Sequence, residues 1–315
     1  MKKCILLLLL LASALSCLVW AADAPVTPAT PTPLPKTKIN PKDGAEMVLI
    51  PAGKFQMGTS EIELSAWLKT NPDYTRESFT GELPQHKVEI DVYYIYKTEV
   101  TVAQYRKFCA ATGREMPPEP EWKYQDTHPI VNVTWDDANA YAQWASAALP
   151  TEAQWEKAAR GGDQRIFPWG DVWPPPGDFF PDPPNMAGNF GIITNNTKSG
   201  NYIISTVKYN DGCTYTAPVG CFKANPYGIH DLAGNVWEWC ADWYDAGYYK
   251  TAPTQNPTGP ATGTARVLRG GSWDRDYPGV FRAANRGNRH PTSRDSGVGF
   301  RCVVRCQDRS FPLTL

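Results

Sequence analysis

The sequence predicts an α+β fold with little regular secondary structure, and three observations support this class. First, 29 prolines and 25 glycines among 315 residues favour turns and irregular loops over long helices. Second, 12 tryptophans and 15 tyrosines supply large side chains that can pin such loops to a core. Third, helix signals lie mostly in the first half, whereas the second half holds short apolar runs, such as 266–269 and 299–304, that predict strands.

Short helices are predicted where a threonine stands just before an amphipathic run. Thr101, Thr134 and Thr151 occupy such positions, and threonine is a favoured residue for capping a helix N-terminus. Glycine follows the first run at Gly113 and the third at 161–162, where it can end a helix in a left-handed conformation. Each predicted helix is therefore bounded by its own capping residues.

The charge balance excludes one class of function. The chain has 31 basic and 32 acidic residues, which gives a formal net charge of −1. A nearly neutral protein lacks the basic surface with which proteins bind nucleic acids or anionic membranes. No nucleic-acid partner is therefore expected.

The N-terminal segment resembles an export signal. Lysines precede an uncharged apolar run over 4–20, which is slightly short for a membrane span. The protein is thus expected in the periplasm, the cell envelope or the extracellular space, with no transmembrane span. The sequence around Cys17 also resembles a lipobox, so a lipid anchor there stays open. The predicted division is a signal peptide over 1–21, a Pro/Thr-rich linker over 22–45, one domain over 46–306 and a C-terminal tail over 307–315.

Cysteine usage predicts disulfides. Two of the eight cysteines lie in the signal segment, and the remaining six are Cys109, Cys213, Cys221, Cys240, Cys302 and Cys306. An even number in an exported chain favours disulfide pairing, although six cysteines allow 15 connectivities. The spacing does not match a CxxC metal or redox motif.

A series of motifs appears in one order along the chain, and together they resemble a known family. The series comprises 47–58, 99–101, 128–135, 149–156, 167–170, 234–239, 269–273 and 299–302, which read MVLIPAGKFQMG, EVT, HPIVNVTW, LPTEAQWE, FPWG, GNVWEW, RGGSW and GFRC. Across residues 46–306 the series resembles the formylglycine-generating enzyme family, also called the sulfatase-modifying factor family. The resemblance implies a C-type-lectin-like fold that is stabilised by bound Ca²⁺.

The resemblance also implies which residues would hold calcium. One family site falls on the side chains of Asp231 and Glu238 with the carbonyls of Gly234 and Val236, and a second on Asn185, the carbonyl of Met186, Asp211 and the carbonyl of Cys213. All these ligands are oxygen donors, which a hard cation prefers. A hydrogen-bonded turn without metal is the alternative for Asp231 and Glu238. Any such calcium would be structural.

The sequence departs from the family at the catalytic copper site. Family members that oxidise a sulfatase cysteine use two cysteines after the Arg-Gly-Gly-Ser motif to hold Cu(I), an ion that prefers thiolates. Those positions carry Arg275 and Val280 in this chain, and no cysteine lies between Cys240 and Cys302. Copper binding and formylglycine formation are therefore not expected. Another branch of the family uses an iron site of clustered histidines. The four histidines of this chain are scattered along the sequence, which does not favour such a site.

The remaining functional candidate is a ligand-binding groove after this motif. Polar and aromatic residues suited to recognition are dense there: Arg269, Ser272, Trp273, Asp274, Arg275, Asp276, Tyr277, Arg282, Asn285, Arg286, Asn288, Arg289 and His290. The predicted function is binding of a peptide, protein or glycan. The alternatives are an oxidoreductase or maturation enzyme with a redesigned metal site, a lectin-like protein diversified by a retroelement, and an envelope component anchored through Cys17. Internal ion pairs of Arg269, Arg282 and Arg301 are the alternative to a groove role for those arginines.

Overall fold

The computed structural model describes residues 34–173, 213–275 and 277–306. The helices α1 to α4 are Glu61–Thr70, Val102–Thr112, Trp135–Trp144 and Glu152–Ala159. Short 3-10 helices cover Arg76–Glu82, Tyr248–Lys250 and Pro278–Phe281. The strands β1 to β10 are Thr37–Ile39, Glu46–Ile50, Gly53–Met57, His86–Ile90, Tyr93–Tyr96, Trp237–Trp243, Arg266–Arg269, Gly287–Arg289, Val298–Gly299 and Val303–Arg305. Within these residues, no helix is both long and apolar enough to span a membrane.

The strands form three small sheets. One has the order β1-β2-β5-β10, another pairs β3 with β4, and the third has the order β8-β7-β6-β9. All pairings are antiparallel except that of β6 with β9. The α+β class with short elements and long loops, predicted from the sequence, is confirmed.

The three predicted helices are present with their predicted caps. The hydroxyls of Thr101, Thr134 and Thr151 accept the N–H of the third helical residue, and that residue's side chain accepts the threonine N–H in return. The first of these helices ends at Gly113, which has a left-handed φ of 71°. Helix α1 was not predicted, although Ser60 and Glu63 form the same capping box.

The C-terminal strand prediction holds only at its two ends. The run 299–304 splits into β9 and β10, and Arg301 between them is fully buried and pairs with Glu238. The other predicted strand, 266–269, is present as β7.

The folded domain begins earlier than predicted, because residues 37–45 of the predicted linker are part of it. Strand β1 pairs with β2. After it, the amide of Asn40 donates to the Tyr96 hydroxyl (2.8 Å), and the Asp43 carboxylate accepts the hydroxyls of Tyr96 and Tyr141 (2.7 Å each). These buried bonds tie the segment to the core, and its polar composition concealed them at the sequence level.

Tryptophan N–H groups pin the long loops, as the composition suggested. Trp135 donates to the carbonyl of Cys240 (2.8 Å) and Trp239 to that of Val133 (3.0 Å). Trp239 is fully buried and Trp135 is half-buried. Each indole therefore adds apolar area to the core while its single donor fixes a distant backbone segment.

Disulfide pairing stays a prediction, and Cys109, Cys240 and Cys302 do not form a disulfide in this structure. Cys109, Cys240 and Cys302 are buried thiols in the core. The Cys109 thiol donates to the Glu115 carbonyl (3.5 Å) rather than to sulfur. Burial raises the pKa of Cys240 and of Cys302 well above the ordinary value, so neither supplies a thiolate at neutral pH.

A buried acid makes the stability of the fold depend on pH. Asp242 is buried, and its carboxylate accepts the N–H of Glu152 (2.9 Å). Burial raises the pKa of Asp242 to about 8, and the charge of Glu152 adds to this shift. An unfolded Asp titrates near 4, so below about pH 4 Asp242 is protonated in both states and costs the fold nothing. The free energy of unfolding falls as the pH rises from about 4 through 8, because the unfolded chain gives up this proton more easily than the folded chain does.

Asp242→Asn is therefore expected to make the protein more stable at neutral to alkaline pH. The amide oxygen can still accept the Glu152 N–H, while the buried charge is gone. The free energy of unfolding should exceed that of the wild type by roughly 2–4 kcal/mol near pH 8 and match it near pH 4. Urea unfolding at both pH values measures this difference. A difference that stays constant from pH 4 to pH 8 would contradict the argument.

Candidate functional site

The loop 231–238 has an unusual backbone that leads into β6. Asp231, Gly234 and Asn235 all have left-handed φ values, of 58°, 85° and 60°. Only glycine adopts this region without a steric cost. The Asn235 side chain accepts the Ala217 N–H (3.0 Å), and the Trp273 N–H donates to the Asn235 carbonyl (3.0 Å). Contacts from two other segments thus hold a strained loop, which is typical of functional sites.

Glu238, one of the predicted calcium ligands, is fully buried and paired with an arginine. Its two carboxylate oxygens accept Nε and Nη2 of Arg301, both at 2.7 Å, and one also accepts the indole N–H of Trp155 at 2.8 Å. Such a bidentate, charge-assisted pair compensates the burial of both charges. Glu238 therefore already has a cationic partner from the chain itself.

Two other buried carboxylates beside this pair are poorly compensated. Neither oxygen of Glu99 accepts a hydrogen bond from a protein donor, nor does Oδ1 of Asp231, although the two carboxyl groups are close enough to share a proton. The other Asp231 oxygen accepts the Gly220 N–H at 2.6 Å. Burial raises the pKa of Glu99 well above its usual value, and the charge of Asp231 raises it further. Burial also raises the pKa of Asp231. The two acids therefore hold a proton more strongly than free carboxyl groups do, unless a cation binds between them.

The other predicted calcium ligands are placed only in part. Gly234 and Val236 lie in the strained loop, and their backbone carbonyls remain candidates. No three His, Cys, Asp or Glu side chains in the described ranges form a metal site by themselves, so such carbonyls would be needed. Of the second predicted site, Asn185, Met186 and Asp211 lie outside the described residues, and only Cys213 is within them.

Three arginines of the predicted groove are buried in ion pairs, which corrects their assignment to ligand binding. Arg269 is fully buried and pairs with Glu156 (2.5 Å). Arg282 pairs with Glu82 (2.6 Å). The Arg286 side chain is 1% exposed and pairs with Glu152 (2.7 Å). The alternative of internal ion pairs is thus confirmed for Arg269, Arg282 and Arg301, because the fold places an acid from another segment beside each guanidinium.

The remaining groove residues have different environments. Ser272 is fully buried and donates to Asp274. Asp274 and Arg275 are partly exposed, with 3.4 Å between the carboxylate and Nε. Tyr277 is 38% exposed, and the exposed His290 contacts the Thr292 hydroxyl through Nδ1 (2.8 Å). The other members are Asn285, which donates to Glu82, Arg289, which pairs with Asp295, the exposed Asn288, and Asp276, which lies outside the described residues.

Trp273 is part of a three-ring cluster that the sequence did not predict. Trp122 stacks on Tyr215 with 4.3 Å between ring centroids, and the Trp273 ring lies edge-on to both at 5.2 Å. All three residues are half-buried. The Trp273 indole donates to the Ser296 carbonyl (3.1 Å), which fixes its orientation. Trp122 and Tyr215 lie 151 and 58 residues before Trp273 (273 − 122 and 273 − 215), so no local pattern could have indicated this cluster.

Comparison with known proteins explains the order of the motifs. Residues 33–306 match the sulfatase-modifying factor enzyme 1-like domain. The chain belongs to the sulfatase-modifying factor family. It is 34% identical to the formylglycine-generating enzyme of Streptomyces coelicolor, over 90% of this chain and 95% of the relative. It is 32% identical to the formylglycine-generating enzyme of Mus musculus, over 90% of this chain and 79% of the relative.

Two solved structures have the same fold. PvdO from Pseudomonas aeruginosa is similar with a TM-score of 0.67 and 25% identity, over 87% of this chain and 100% of the other. Treponema denticola variable protein 1 is similar with a TM-score of 0.61 and 24% identity, over the same shares. The C-type-lectin-like fold that the resemblance implied is confirmed.

Members of the sulfatase-modifying factor family bind calcium, and the loop 231–238 fits that ion. The possible metal ligands there are oxygens, and buried carboxylate oxygens of Asp231 and Glu99 accept no hydrogen bond from a protein donor. Hard oxygen ligands and uncompensated negative charge are what a Ca²⁺ site requires.

The two positions at which the resemblance places the family's copper-binding cysteines lie in unlike environments. Arg275 is partly exposed beside Asp274, whereas Val280 is 5% exposed in the 3-10 helix Pro278–Phe281. Neither side chain is a ligand for Cu(I). The nearest cysteines along the chain, Cys240 and Cys302, are both buried with raised pKa values.

The four histidines have separate partners. The Nδ1 atoms of His86, His128 and His230 contact the Pro84 carbonyl (3.2 Å), the Thr216 hydroxyl (3.0 Å) and the Phe222 carbonyl (2.6 Å). Burial lowers the pKa of His128. Such contacts are those of structural histidines.

Proposed function

We propose that this chain is an exported, calcium-stabilised member of the sulfatase-modifying factor family that binds a peptide, protein or glycan ligand and does not perform copper-dependent oxidation. The observation that supports binding is the cluster of Trp122, Tyr215 and Trp273, because the resemblance places the family's substrate groove at the segment after Arg269. Half-buried aromatic side chains of this kind dominate the energetics of many binding surfaces.

The charged residues around the cluster are consistent with recognition. Asp274 and Arg275 are adjacent to Trp273 in the chain and retain exposed polar atoms. Planar polar groups beside aromatic rings can orient a ligand whose apolar parts contact the rings. The buried arginines of the earlier groove prediction have a structural part in this proposal, since their ion pairs hold the segment that presents Trp273.

Calcium has a structural part in the proposed function. The residues that would hold it include Asp231 and the carbonyls of Gly234 and Val236, at the loop whose Asn235 carbonyl accepts the Trp273 N–H. An ion that binds only the native state stabilises that state by mass action. Calcium bound here would therefore also order the Asn235 carbonyl that accepts the Trp273 N–H.

The other functions considered from the sequence lack support of this kind. A redesigned metal site would need ligands that converge, whereas the histidines have separate partners. Retroelement diversification is a property of the gene, which a structure does not display. A lipid anchor at Cys17 concerns a residue outside the described ranges. Export, with a periplasmic, envelope or extracellular location, stays a prediction from residues 1–21.

Trp273→Ala is expected to remove ligand binding without unfolding the protein. Purified calcium-loaded protein is screened on glycan and peptide arrays, and titration calorimetry follows for each ligand found. Loss of an aromatic anchor should weaken affinity at least about 30-fold, equivalent to about 2 kcal/mol. Trp243→Ala is the matched control, because Trp243 is another half-buried tryptophan, stacked on Arg266 at 3.5 Å.

Two results would contradict the proposed function. One is a ligand whose affinity is the same for wild type and Trp273→Ala. The other is conversion of a cysteine in a sulfatase-type peptide to the aldehyde by the Cu(I)-loaded wild type, since that would place oxidase chemistry in a chain without the two cysteines.

A further inference from the structure

Glu99 is a buried carboxylate that has no evident structural role and is not among the predicted calcium ligands. It is 0% exposed, it lies just after β5, and neither of its oxygens accepts a hydrogen bond from a protein donor. We propose that Glu99 supplies a carboxylate ligand to the calcium site at Asp231. This inference rests on the calcium stabilisation in the proposed function and extends its ligand set.

Backbone hydrogen bonds between three segments bring the two acids together. The His230 N–H donates to the Lys97 carbonyl (2.9 Å), so Asp231 follows directly on a residue bonded to the segment of Glu99. The Val100 N–H donates to the Phe300 carbonyl (2.9 Å), which places Arg301 beside the same segment. Glu99, Asp231 and Arg301 therefore share one buried site although the sequence separates them widely.

The charges at this site do not balance. Glu99, Asp231 and Glu238 are three buried carboxyl groups and Arg301 is one buried guanidinium, so the site carries −3 + 1 = −2 when all three acids are ionised. Arg301 is engaged in a bidentate pair with Glu238. The nearby cation Lys97 pairs instead with Glu46 (2.9 Å). Unpaired buried charges are too costly to persist, so two buried carboxyl groups at one site need either a shared proton or a bound cation.

The chemistry of the unpaired atoms selects the kind of cation. The oxygens without a protein donor are both of Glu99 and Oδ1 of Asp231, and backbone carbonyls of the strained loop lie next in sequence. A divalent ion with oxygen ligands would cancel the formal charge of −2 and satisfy these atoms together. Ca²⁺ takes several carboxylate and carbonyl oxygens in flexible geometry.

Glu99→Gln tests this assignment, since glutamine has almost the same shape and lacks the charge. Thermal melting is measured in EDTA and in millimolar CaCl₂, and calcium affinity is measured by titration calorimetry. In EDTA the variant should melt at or above the wild-type temperature, because one uncompensated charge is gone. In calcium it should melt lower than wild type, with calcium affinity reduced on the order of 100-fold. This crossing of the two melting temperatures is not expected from mere damage to the core.

Three further variants make the measurement specific. Asp211→Asn, used as the background for wild type and variant alike, silences the second predicted calcium site. Asp43→Asn is the matched control, because Asp43 is a buried carboxylate whose oxygens accept protein hydrogen bonds. It should lower the melting temperature equally in EDTA and in calcium. Glu99→Asp retains the charge on a shorter side chain and should have intermediate calcium affinity. This variant also tests the assignment if the Glu99→Gln protein is poorly soluble.

The outcomes separate this inference from the proposed function. Equal melting of the wild type in EDTA and in calcium would refute calcium stabilisation itself. A calcium-dependent shift of wild-type size, with unchanged affinity, in Glu99→Gln would leave calcium stabilisation intact and overturn the assignment of Glu99.

Discussion

Arg269→Met is expected to lower the free energy of unfolding by about 3–5 kcal/mol, since it breaks a buried ion pair by removing one partner. Arg269 is fully buried, its Nη2 donates to Glu156 (2.5 Å), and its guanidinium also donates to the carbonyls of Ala283 (2.7 Å) and Asn285 (2.6 Å). Methionine fills similar volume and satisfies none of these acceptors. Urea unfolding monitored by tryptophan fluorescence measures the loss.

The matched control for Arg269 is an equally short pair in water. Arg76 donates to both oxygens of Glu61 at 2.6 Å, but the two side chains are 56% and 64% exposed. Arg76→Met should change stability little, because water solvates whatever the substitution leaves unpaired. Similar losses for both variants would show that burial does not determine the importance of the Arg269 pair.

The double variant Arg275→Cys, Val280→Cys is expected to bind one more Cu(I) ion than the wild type does. The resemblance places the family's copper-binding cysteines at these two positions, and the surrounding Arg-Gly-Gly-Ser segment is present with Arg269 anchored in the core. Two thiolates chelate Cu(I), whereas arginine and valine offer no soft donor. Competition with a chromophoric Cu(I) chelator should reveal one additional tightly bound ion per chain.

Single variants identify the cause of that gain. Val280→Cys alone should bind Cu(I) much more weakly, because one thiolate cannot chelate. Background binding by the native cysteines is subtracted with the wild type. If the double variant bound no more Cu(I) than the wild type, the loop would not bring residues 275 and 280 together. The site would then differ from that of the copper-dependent members in its backbone as well as in the two thiols.

Local sequence determined several parts of the molecule directly. Thr101, Thr134 and Thr151 cap helices because a capping box involves residues three apart, and that pattern is complete within the chain segment. The ordered motifs identified the family for the same reason, since each motif is contiguous. The missing copper ligands at Arg275 and Val280 also needed nothing beyond alignment of one motif.

The environment of a side chain was harder to predict, and the groove arginines show why. Arginine is both a common recognition residue and a common partner in buried ion pairs. Arg269, Arg282 and Arg286 became structural when the fold placed Glu156, Glu82 and Glu152 beside them, at separations of 113, 200 and 134 residues. Disulfide pairing is equally hard to predict, because it depends on distances between thiols that the sequence does not contain.

By itself, then, the sequence determined the family, the fold class, the capped helices and the loss of the copper thiols, all of which depend on contiguous residues. Only the tertiary structure decided which arginines are buried, which rings surround Trp273, and that Glu99 shares a site with Asp231 and Arg301. These are long-range properties: burial and charge compensation arise from segments that meet in space, and the cost of an unpaired buried charge is undefined until the fold removes water from it.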